Sequence, residues 1–506
     1  MGIETELKLA FDPQGLRRLR RHPLVQSLKR ERPQTRQLKS VYFDTDDFRL
    51  KENQVALRVR HIGRRRIQTV KTAGANLGGA WRRDEWETEI NGDQPDLTHL
   101  AALPVADLFA VPADGQGLRP VFTTEVRRTV YLLGEDDWQV ELALDEGRIV
   151  SALGSAAISE AELELKAGDP ARLFDLALAL QDGRPSRVLT SSKAARGYRL
   201  AAGATIRPQK GGVPPLRHEH TQPEAFRAIA WACLEQLQAN HECLLETGDA
   251  EAVHQMRVAL RRLRSAIGLF KALVDDAALP RLLEELRWLQ SVLGPARDHD
   301  VLIANSLAPF EADLGEEEAY RRLRRDMDAD REHAYAAAIA ALSHPRFTHL
   351  MLSLGQWCQT GPWTAAPAPS APLGHLAART LDKRFARVRK DLRALARLPA
   401  DERHLLRIRV KKLRYATEFF ESLYAGRHHR KFVATLAALQ DHLGALNDIA
   451  VALRALRRWA DGGGDAEGWW LAGRLAGRLE AKASALLAAA DAEAARLGRS
   501  PRFWRR

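Results

Sequence analysis

Ile3-Glu4-Thr5-Glu6-Leu7-Lys8-Leu9 alternates apolar and charged side chains, and in an extended strand residues two apart share a face. Glu4, Glu6 and Lys8 therefore point one way, and Ile3, Leu7 and Leu9 the other. The same parity recurs along the first 200 residues. Arg58 and Arg60 oppose Leu57 and Val59; Glu141 and Asp145 oppose Val140, Leu142 and Leu144; Glu160, Glu162, Glu164 and Lys166 oppose Leu163 and Leu165. Turn residues such as Gly63, Gly74, Gly78-Gly79, Asn91-Gly92 and Gly134 separate these runs, which predicts an antiparallel sheet or barrel. Residues 170–181 and 187–197 read as helices that close the domain.

A single charged strand face is ordinarily a solvated one. Repetition on every strand favours a lumen, and a barrel of about eight strands has room for a small ligand. Arginine and lysine neutralise phosphate oxygens, whereas carboxylates hold Mg²⁺ or Mn²⁺, which bridges protein to phosphate. Such a lumen suits a metal polyphosphate.

Glu4-Thr5-Glu6-Leu7-Lys8 resembles the ExExK signature of the CYTH family, whose members form a triphosphate tunnel of eight antiparallel strands. Leu57-Arg58-Val59-Arg60, Thr69-Val70-Lys71, Glu125-Val126-Arg127-Arg128, Asp145-Glu146-Gly147, Glu162-Leu163-Glu164-Leu165, and Ser192-Lys193 before Gly197-Tyr198 follow in the family's order. The resemblance implies that Glu4, Glu6, Asp145, Glu162 and Glu164 bind the metal, Mg²⁺ or Mn²⁺. It also implies that Lys8, Arg58, Arg60, Lys71, Arg127 and Lys193 hold triphosphate in a metal-dependent triphosphatase. The same tunnel is compatible with thiamine triphosphate hydrolysis or ATP cyclisation.

From Ala201 onward, Gly, Pro and polar residues read as a linker, taken as 201–217, and beyond it Ala, Leu, Arg and Glu recur with helical spacing. His254-Gln255-Met256-Arg257-Val258-Ala259-Leu260-Arg261-Arg262-Leu263-Arg264 aligns without a gap on His404-Leu405-Leu406-Arg407-Ile408-Arg409-Val410-Lys411-Lys412-Leu413-Arg414, an offset of 150. Asp298 and Asp448 recur at the same offset. The expected architecture is α+β and multidomain: an eight-stranded antiparallel tunnel over 1–200, then an all-helical domain over 218–506 made of two repeats, about 218–359 and 375–506.

On a helix, positions i, i+3, i+7 and i+10 lie within about 80° of one another. His254, Arg257, Arg261 and Arg264 thus form one basic stripe, and His404, Arg407, Lys411 and Arg414 its copy. Few acidic residues at i+4 offset them, so an anionic partner is expected. The His-x-x-Arg-Val-x-x-Arg-Arg-Leu-Arg block, which includes Arg262 and is matched by Lys412 in the copy, resembles the CHAD family. That resemblance implies binding of inorganic polyphosphate in a basic channel. Metal ligation by the histidines is disfavoured by their cationic neighbours.

Charge distribution agrees. Residues 1–200 hold 31 Lys and Arg against 29 Asp and Glu, the remainder 46 against 36, so the net +12 is concentrated behind the sheet domain. The basic stripes lack the interleaved aromatics that stack on single-stranded bases, and neither a P-loop nor GxGxxG occurs. Nucleic acid is therefore a disfavoured partner. The three cysteines, Cys233, Cys243 and Cys358, have no CxxC spacing and read as buried apolar residues. No run of about 18 apolar residues occurs and the first residues do not form a secretion signal, so a cytoplasmic protein with no membrane partner is expected. A polyphosphate-binding scaffold with little catalysis is the alternative to an enzyme; the full carboxylate set argues against it, since carboxylates repel phosphate unless a metal intervenes.

Overall fold

The alternating segments form ten strands in the computed structural model, which describes residues 2–72, 75–77, 80–109, 117–365, 372–424, 426–463 and 465–505. They are β1 (Gly2–Phe11), β2 (Gln34–Asp44), β3 (Ala56–Ile62), β4 (Arg65–Lys71), β5 (Ala75–Leu77), β6 (Ala80–Ile90), β7 (Arg119–Gly134), β8 (Gln139–Ser151), β9 (Gly154–Ala167) and β10 (Ser186–Val188). Their order is β10-β1-β9-β8-β7-β2-β3-β4-β6-β5, and β1 also pairs with β6. That last pairing, from Gly2 opposite Glu85 to Leu7 opposite Ala80, joins eight antiparallel strands into a ring. The short β5 and β10 lie outside it. Strand parity therefore predicted the architecture.

The parity also sets the layers. Leu7 and Leu9 on β1, Leu142 and Leu144 on β8 and Leu163 on β9 pack with Leu16, Leu19, Phe174 and Leu180 from the helices Pro13–Leu19 and Ala171–Gln181. A second apolar group, including Phe43, Leu57, Val59, Val70 and Ile90, packs with Leu100 and Phe109. The greasy side of these strands is jacketed by helices, which leaves their charged side facing inward.

Two glycines permit close approaches. A Cβ on Gly147 would lie 2.0 Å from the carbonyl oxygen of Glu125 across β7, and one on Gly197 would lie 2.1 Å from the Phe122 ring. Gly197 thereby lets the helix Lys193–Ala201 seat Tyr198 edge-on against Phe122, with ring centroids 5.1 Å apart. Tyr42, Val126, Ile149 and Ile158 complete that aromatic cluster.

The chain divides into two compact units. The first runs to Gln209 and adds Gln238–Gly248 and Ala340–Thr364; the second comprises Lys210–Leu237, Asp249–Ile339 and the residues from Ala365 onward. Within the first, Leu352, on the helix Pro345–Thr360, is fully buried in the cluster containing Leu173 and Phe174. Within the second, the repeat is exact in register: helix Ala250–Leu269 recurs as Ala400–Phe419. The segment expected to be a linker is anchored in both units. The Gln209 amide donates to Asn240 Oδ1 at 3.0 Å, and the Arg262 guanidinium donates to the Gly212 carbonyl at 2.7 Å. Among the described residues, no helix is long and apolar enough to cross a membrane.

Removing a buried leucine costs the transferred surface plus the cavity left behind, about 2–5 kcal/mol. Leu352→Ala is expected to destabilise the first unit by that amount in denaturant unfolding. An unchanged midpoint would show that Leu352 is not part of the barrel's outer core.

Candidate functional site

Cross-strand register stacks the lumenal charges in tiers. Glu164 lies opposite Glu6 on one side and Glu141 on the other; Glu162 opposes Lys8; Asp145 opposes both Glu160 and Arg128. Together with β3, β4, β6 and the helix that starts at Lys193, these strands line a cavity of about 570 Å³.

On the wall formed by β1, β7, β8 and β9, opposite charges are interleaved. Lys8 Nζ lies 2.7 Å from Glu6 and 3.3 Å from Glu162. Arg128 grips Asp145 through two hydrogen bonds, 2.8 and 2.6 Å, and also contacts Glu162. Lys193, the first residue of a helix capped by Ser192, reaches Asp145 at 2.7 Å and Glu162 at 2.9 Å and also touches Glu160, which Arg196 holds from outside. Burial alone would push the Glu162 carboxyl up, but Lys193, Lys8 and Arg128 together hold it well below the usual carboxylate range. Asp145 is lowered in the same way, burial being outweighed by Lys193 and Arg128. Burial opposes the Lys193 ammonium, yet its three carboxylates raise its pKa.

Oxygens of Asp145, Glu160 and Glu162 lie within 4.8 Å of one another. A donor set made only of carboxylate oxygen fits a hard divalent cation, so these three residues can hold one, with Glu6 and Glu164 in the adjoining tiers. Glu4 is in register with Arg83 across β1 and β6, and its side chain lies outside the described residues.

The facing wall is richer in cations. Arg58 lies 3.5 Å from Glu85 and 3.7 Å from Glu87, and Lys71 lies 3.0 Å from Glu85. Tyr42 stacks on Phe122 with centroids 4.4 Å apart; burial would raise its phenol, but Arg58, Arg60 and Lys71 together outweigh this and lower it. Arg60 differs from its neighbours: among the described residues no carboxylate lies within ion-pair distance of it, Glu87 acting on it only from further off, and its Nε donates to Ser40 Oγ at 3.3 Å. Burial and the nearby Arg58 and Arg128 push its pKa down to about 10.

The structure thus brings Glu6, Lys8, Arg58, Arg60, Lys71, Glu162, Glu164 and Lys193 onto one cavity, and ties Asp145, fully buried, to it through Arg128 and Lys193. Arg127 is not among them. It is half exposed on the outer surface, 3.9 Å from Glu146, because one step along a strand reverses the face; the lumenal residue is Arg128. The β7–β8 hairpin held the signal. Gly134 pairs with Gln139 next to the turn, and counting back from there sets Arg128 opposite Asp145. Glu160, Arg196, Glu85 and Glu87 also belong to the site. Glu160 shares the parity of Glu162 and Glu164, so the alternation put it on the right face without giving it a role.

In the second unit the stripes meet. Arg261 lies close enough to Arg257, Arg407 and Lys411 that its charge helps lower the pKa of each of the three. Burial is the largest cause for Arg257, Arg407 and Lys411 alike. Arg257 lies 3.5 Å from Asp298, and Arg261 Nε donates to the Tyr415 hydroxyl at 3.3 Å. His254 is half-buried near Arg297, and burial with that guanidinium lowers it to about 4; His404 Nδ1 lies 2.9 Å from Asn447 Oδ1. The remaining stripe residues are engaged elsewhere. Arg264 bonds Gln290, and Arg414 pairs with Glu418 at 2.8 Å. Arg262 is buried on another side of its helix, bonded to Gln236 and Gly212, because it is one residue out of the stripe. Lys412, its counterpart in the copy, is exposed.

Residues 2–198 match the CYTH domain family and residues 228–457 the CHAD domain family. The chain is 31% identical over 206 residues to an inorganic triphosphatase of Haemophilus influenzae, a match covering 39% of this chain and 55% of that protein, so it spans about half that relative's length. An uncharacterized protein of Mycobacterium tuberculosis is 26% identical over 419 residues, 76% of each chain. Among solved structures, the crystal structure of the CHAD domain from the plant Ricinus communis is 33% identical, with a TM-score of 0.50, covering 58% of this chain and 98% of that one. The chain therefore joins a CYTH domain to a CHAD domain.

Proposed function

We propose that the CYTH domain is a metal-dependent inorganic triphosphatase, releasing phosphate and pyrophosphate, and that the CHAD domain binds inorganic polyphosphate. The observation that carries the first half is Arg60, a lumenal guanidinium with no carboxylate within ion-pair distance among the described residues. A desolvated cation with no carboxylate in ion-pair contact is costly, and a phosphate oxygen supplies the missing contact. The similarity to an inorganic triphosphatase supports the same reading.

In this reading triphosphate lies between the cationic wall of Arg58, Arg60 and Lys71 and the carboxylate wall. Asp145, Glu160 and Glu162, with Glu6, Glu164 and Glu4, hold Mg²⁺ or Mn²⁺. The chemistry that such an ion supplies when bound is neutralisation of phosphate oxygens and a more acidic bound water. Phosphoryl transfer depends mainly on positioning and charge stabilisation, and the residues of the lumen provide both. Lys8, Arg128 and Lys193 keep the carboxylates ionised and spaced while they face phosphate. Tyr198 and Tyr42 line the lumen beside them with aromatic surface, which limits free water around the bound anion.

The deciding measurement is phosphate release by the full chain with Mg²⁺ or Mn²⁺ on triphosphate, pyrophosphate, long-chain polyphosphate, ATP and thiamine triphosphate. Triphosphate is expected to be preferred and EDTA to abolish turnover. Hydrolysis of none of them, with polyphosphate still bound, would favour a scaffold.

Arg60→Ala and Arg128→Ala are each expected to lower kcat/KM on triphosphate at least about 100-fold, the scale seen on removing one group that stabilises developing charge. Arg127→Ala should stay within about twofold of the parent, and an equal loss in all three variants would contradict the assignment of faces. For the second domain, reversing Arg257 and Arg407 to Glu should weaken polyphosphate binding more than about tenfold, since each reversal removes one phosphate contact and adds a repulsive charge. Triphosphate hydrolysis should persist. Unchanged binding of polyphosphate would remove the basic cluster from consideration.

A further inference from the structure

Lys193 bridges Asp145 and Glu162 only as well as the segment before it is held. That segment, Leu189-Thr190-Ser191-Ser192, joins β10 to the helix Lys193–Ala201, and short polar connections of this kind are the mobile parts of most folds unless something pins them. Its first residue is tied to the barrel, the Leu189 amide donating to the Lys8 carbonyl at 2.9 Å. Its last caps the helix, the Ser192 hydroxyl accepting from the Ala195 amide at 3.1 Å. Between them, Thr190 Oγ1 and Ser191 Oγ both donate to one oxygen, Oε2 of Glu242, at 3.1 and 2.8 Å. Thr190, Ser192 and Lys193 line the cavity, whereas Glu242 stands behind that lining and is only 8% exposed.

Glu242 lies outside the stretch that matches the CYTH family, which ends at residue 198, and inside the one that matches the CHAD family. Its helix is Gln222–Thr247, and the boundary between the two compact units falls within that helix, so that Gln238–Gly248 belongs to the first unit. There the helix is firmly seated. The Asn240 side chain accepts from the Gln209 amide at 3.0 Å and donates to the Gln209 carbonyl at 2.8 Å, and the buried His241 ring lies 4.4 Å from that of Phe347. Arg199 is 3.6 Å from Glu242 and 3.4 Å from Glu246, so the two hydroxyls approach Glu242 more closely than its cation does. A carboxylate that accepts from two hydroxyls forms charge-assisted hydrogen bonds, roughly twice as strong as neutral ones. Adjacent residues of a short segment are thereby fixed at a single point.

We propose that Glu242 is a positioning residue for triphosphate hydrolysis: its carboxylate fixes Thr190 and Ser191, and through them the reach of Lys193 to Asp145 and Glu162. The proposal rests on the triphosphatase reading above. Glu242 touches neither substrate nor metal, and its whole effect passes through the segment that delivers Lys193. The catalytic lumen is accordingly completed by a stretch of chain that lies beyond the CYTH match.

The test is phosphate release from triphosphate with Mg²⁺ by variants of the full chain. Glu242→Ala is expected to lower kcat/KM by about 10- to 100-fold, the upper figure being the scale of loss when a catalytic group is misplaced by about 1 Å. Glu242→Gln keeps an oxygen that accepts from the hydroxyls and should recover most of that loss. Glu246→Ala, which removes the neighbouring partner of Arg199 on the same helix, should stay within about twofold of the parent. Because Glu242 acts through Lys193, adding Glu242→Ala to Lys193→Ala should cost less than about twofold more, whereas an independent structural effect would multiply the two losses. If Glu242→Ala fails to fold, Thr190→Val combined with Ser191→Ala removes the same two bonds from the other side and is expected to show the same loss and the same non-additivity. Parent-like hydrolysis by the variants that break these bonds, or losses that multiply in the Lys193→Ala background, would overturn the role of Glu242 while leaving the triphosphatase reading intact. A parent that releases no phosphate from triphosphate would instead overturn that reading and this inference with it.

Discussion

Buried opposite charges cost more to desolvate than their attraction returns unless each is hydrogen-bonded on several sides, and the first domain is organised around meeting that condition. Arg128, Lys193 and Lys8 run between Asp145, Glu162, Glu160 and Glu6 as a connected set rather than as isolated pairs. The set needs a closed wall that brings four strands and a helix terminus to one place. The ring provides it, and the ring in turn needs its apolar exterior covered. Hence the jacket of helices over Leu7, Leu9, Leu142, Leu144 and Leu163: apart from the aromatic cluster around Tyr198, it is the outer surface of the barrel that forms the hydrophobic core.

That inversion explains what the sequence made legible. Period-two alternation of charge against leucine identified strands and split their side chains between two faces, and the chemistry of the charged face indicated which one enclosed a ligand. Parity errs where two like residues are adjacent. Arg127 and Arg128 are both arginine, so composition could not choose between them, and only the pairing of β7 with β8 set Arg128 beside Asp145. Glu160 was visible on the correct face, but its role depends on the arrival of Lys193 and Arg196 from a helix distant in sequence. Membership of the helices in the two units was not legible at all. Amphipathic spacing shows that a helix buries a stripe, and does not name what the stripe meets; the burial of Leu352 beside Phe174 is a fact of tertiary structure alone.

In the helical domain, repetition carried more information than pattern. A stripe of Arg and His on one helix is an ordinary solvated face, while the same stripe recurring after 150 residues implied two faces with a common task. The structure brings Arg257, Arg261, Arg407 and Lys411 into mutual electrostatic range, and assigns Arg262 to holding the chain at Gly212. Adjacent basic residues on one helix thus divide between ligand-facing and architectural duties according to a rotation of about 100° per residue.

The place of β1 in the ring has a consequence for how the domain is made. β1 pairs with β9 through Lys8 and Glu162 and with β6 through Gly2 and Glu85, so the strand synthesised before the other nine finds one of its partners only after most of the domain has left the ribosome. Its alternating charged face and the leucines behind it must wait unpaired. Contacts of such sequence separation slow folding and leave a strand edge open to pairing with other chains; Glu6 and Lys8, unfavourable to bury in an unplanned sheet, are then also the residues that discourage β1 from pairing with the wrong neighbour while it waits.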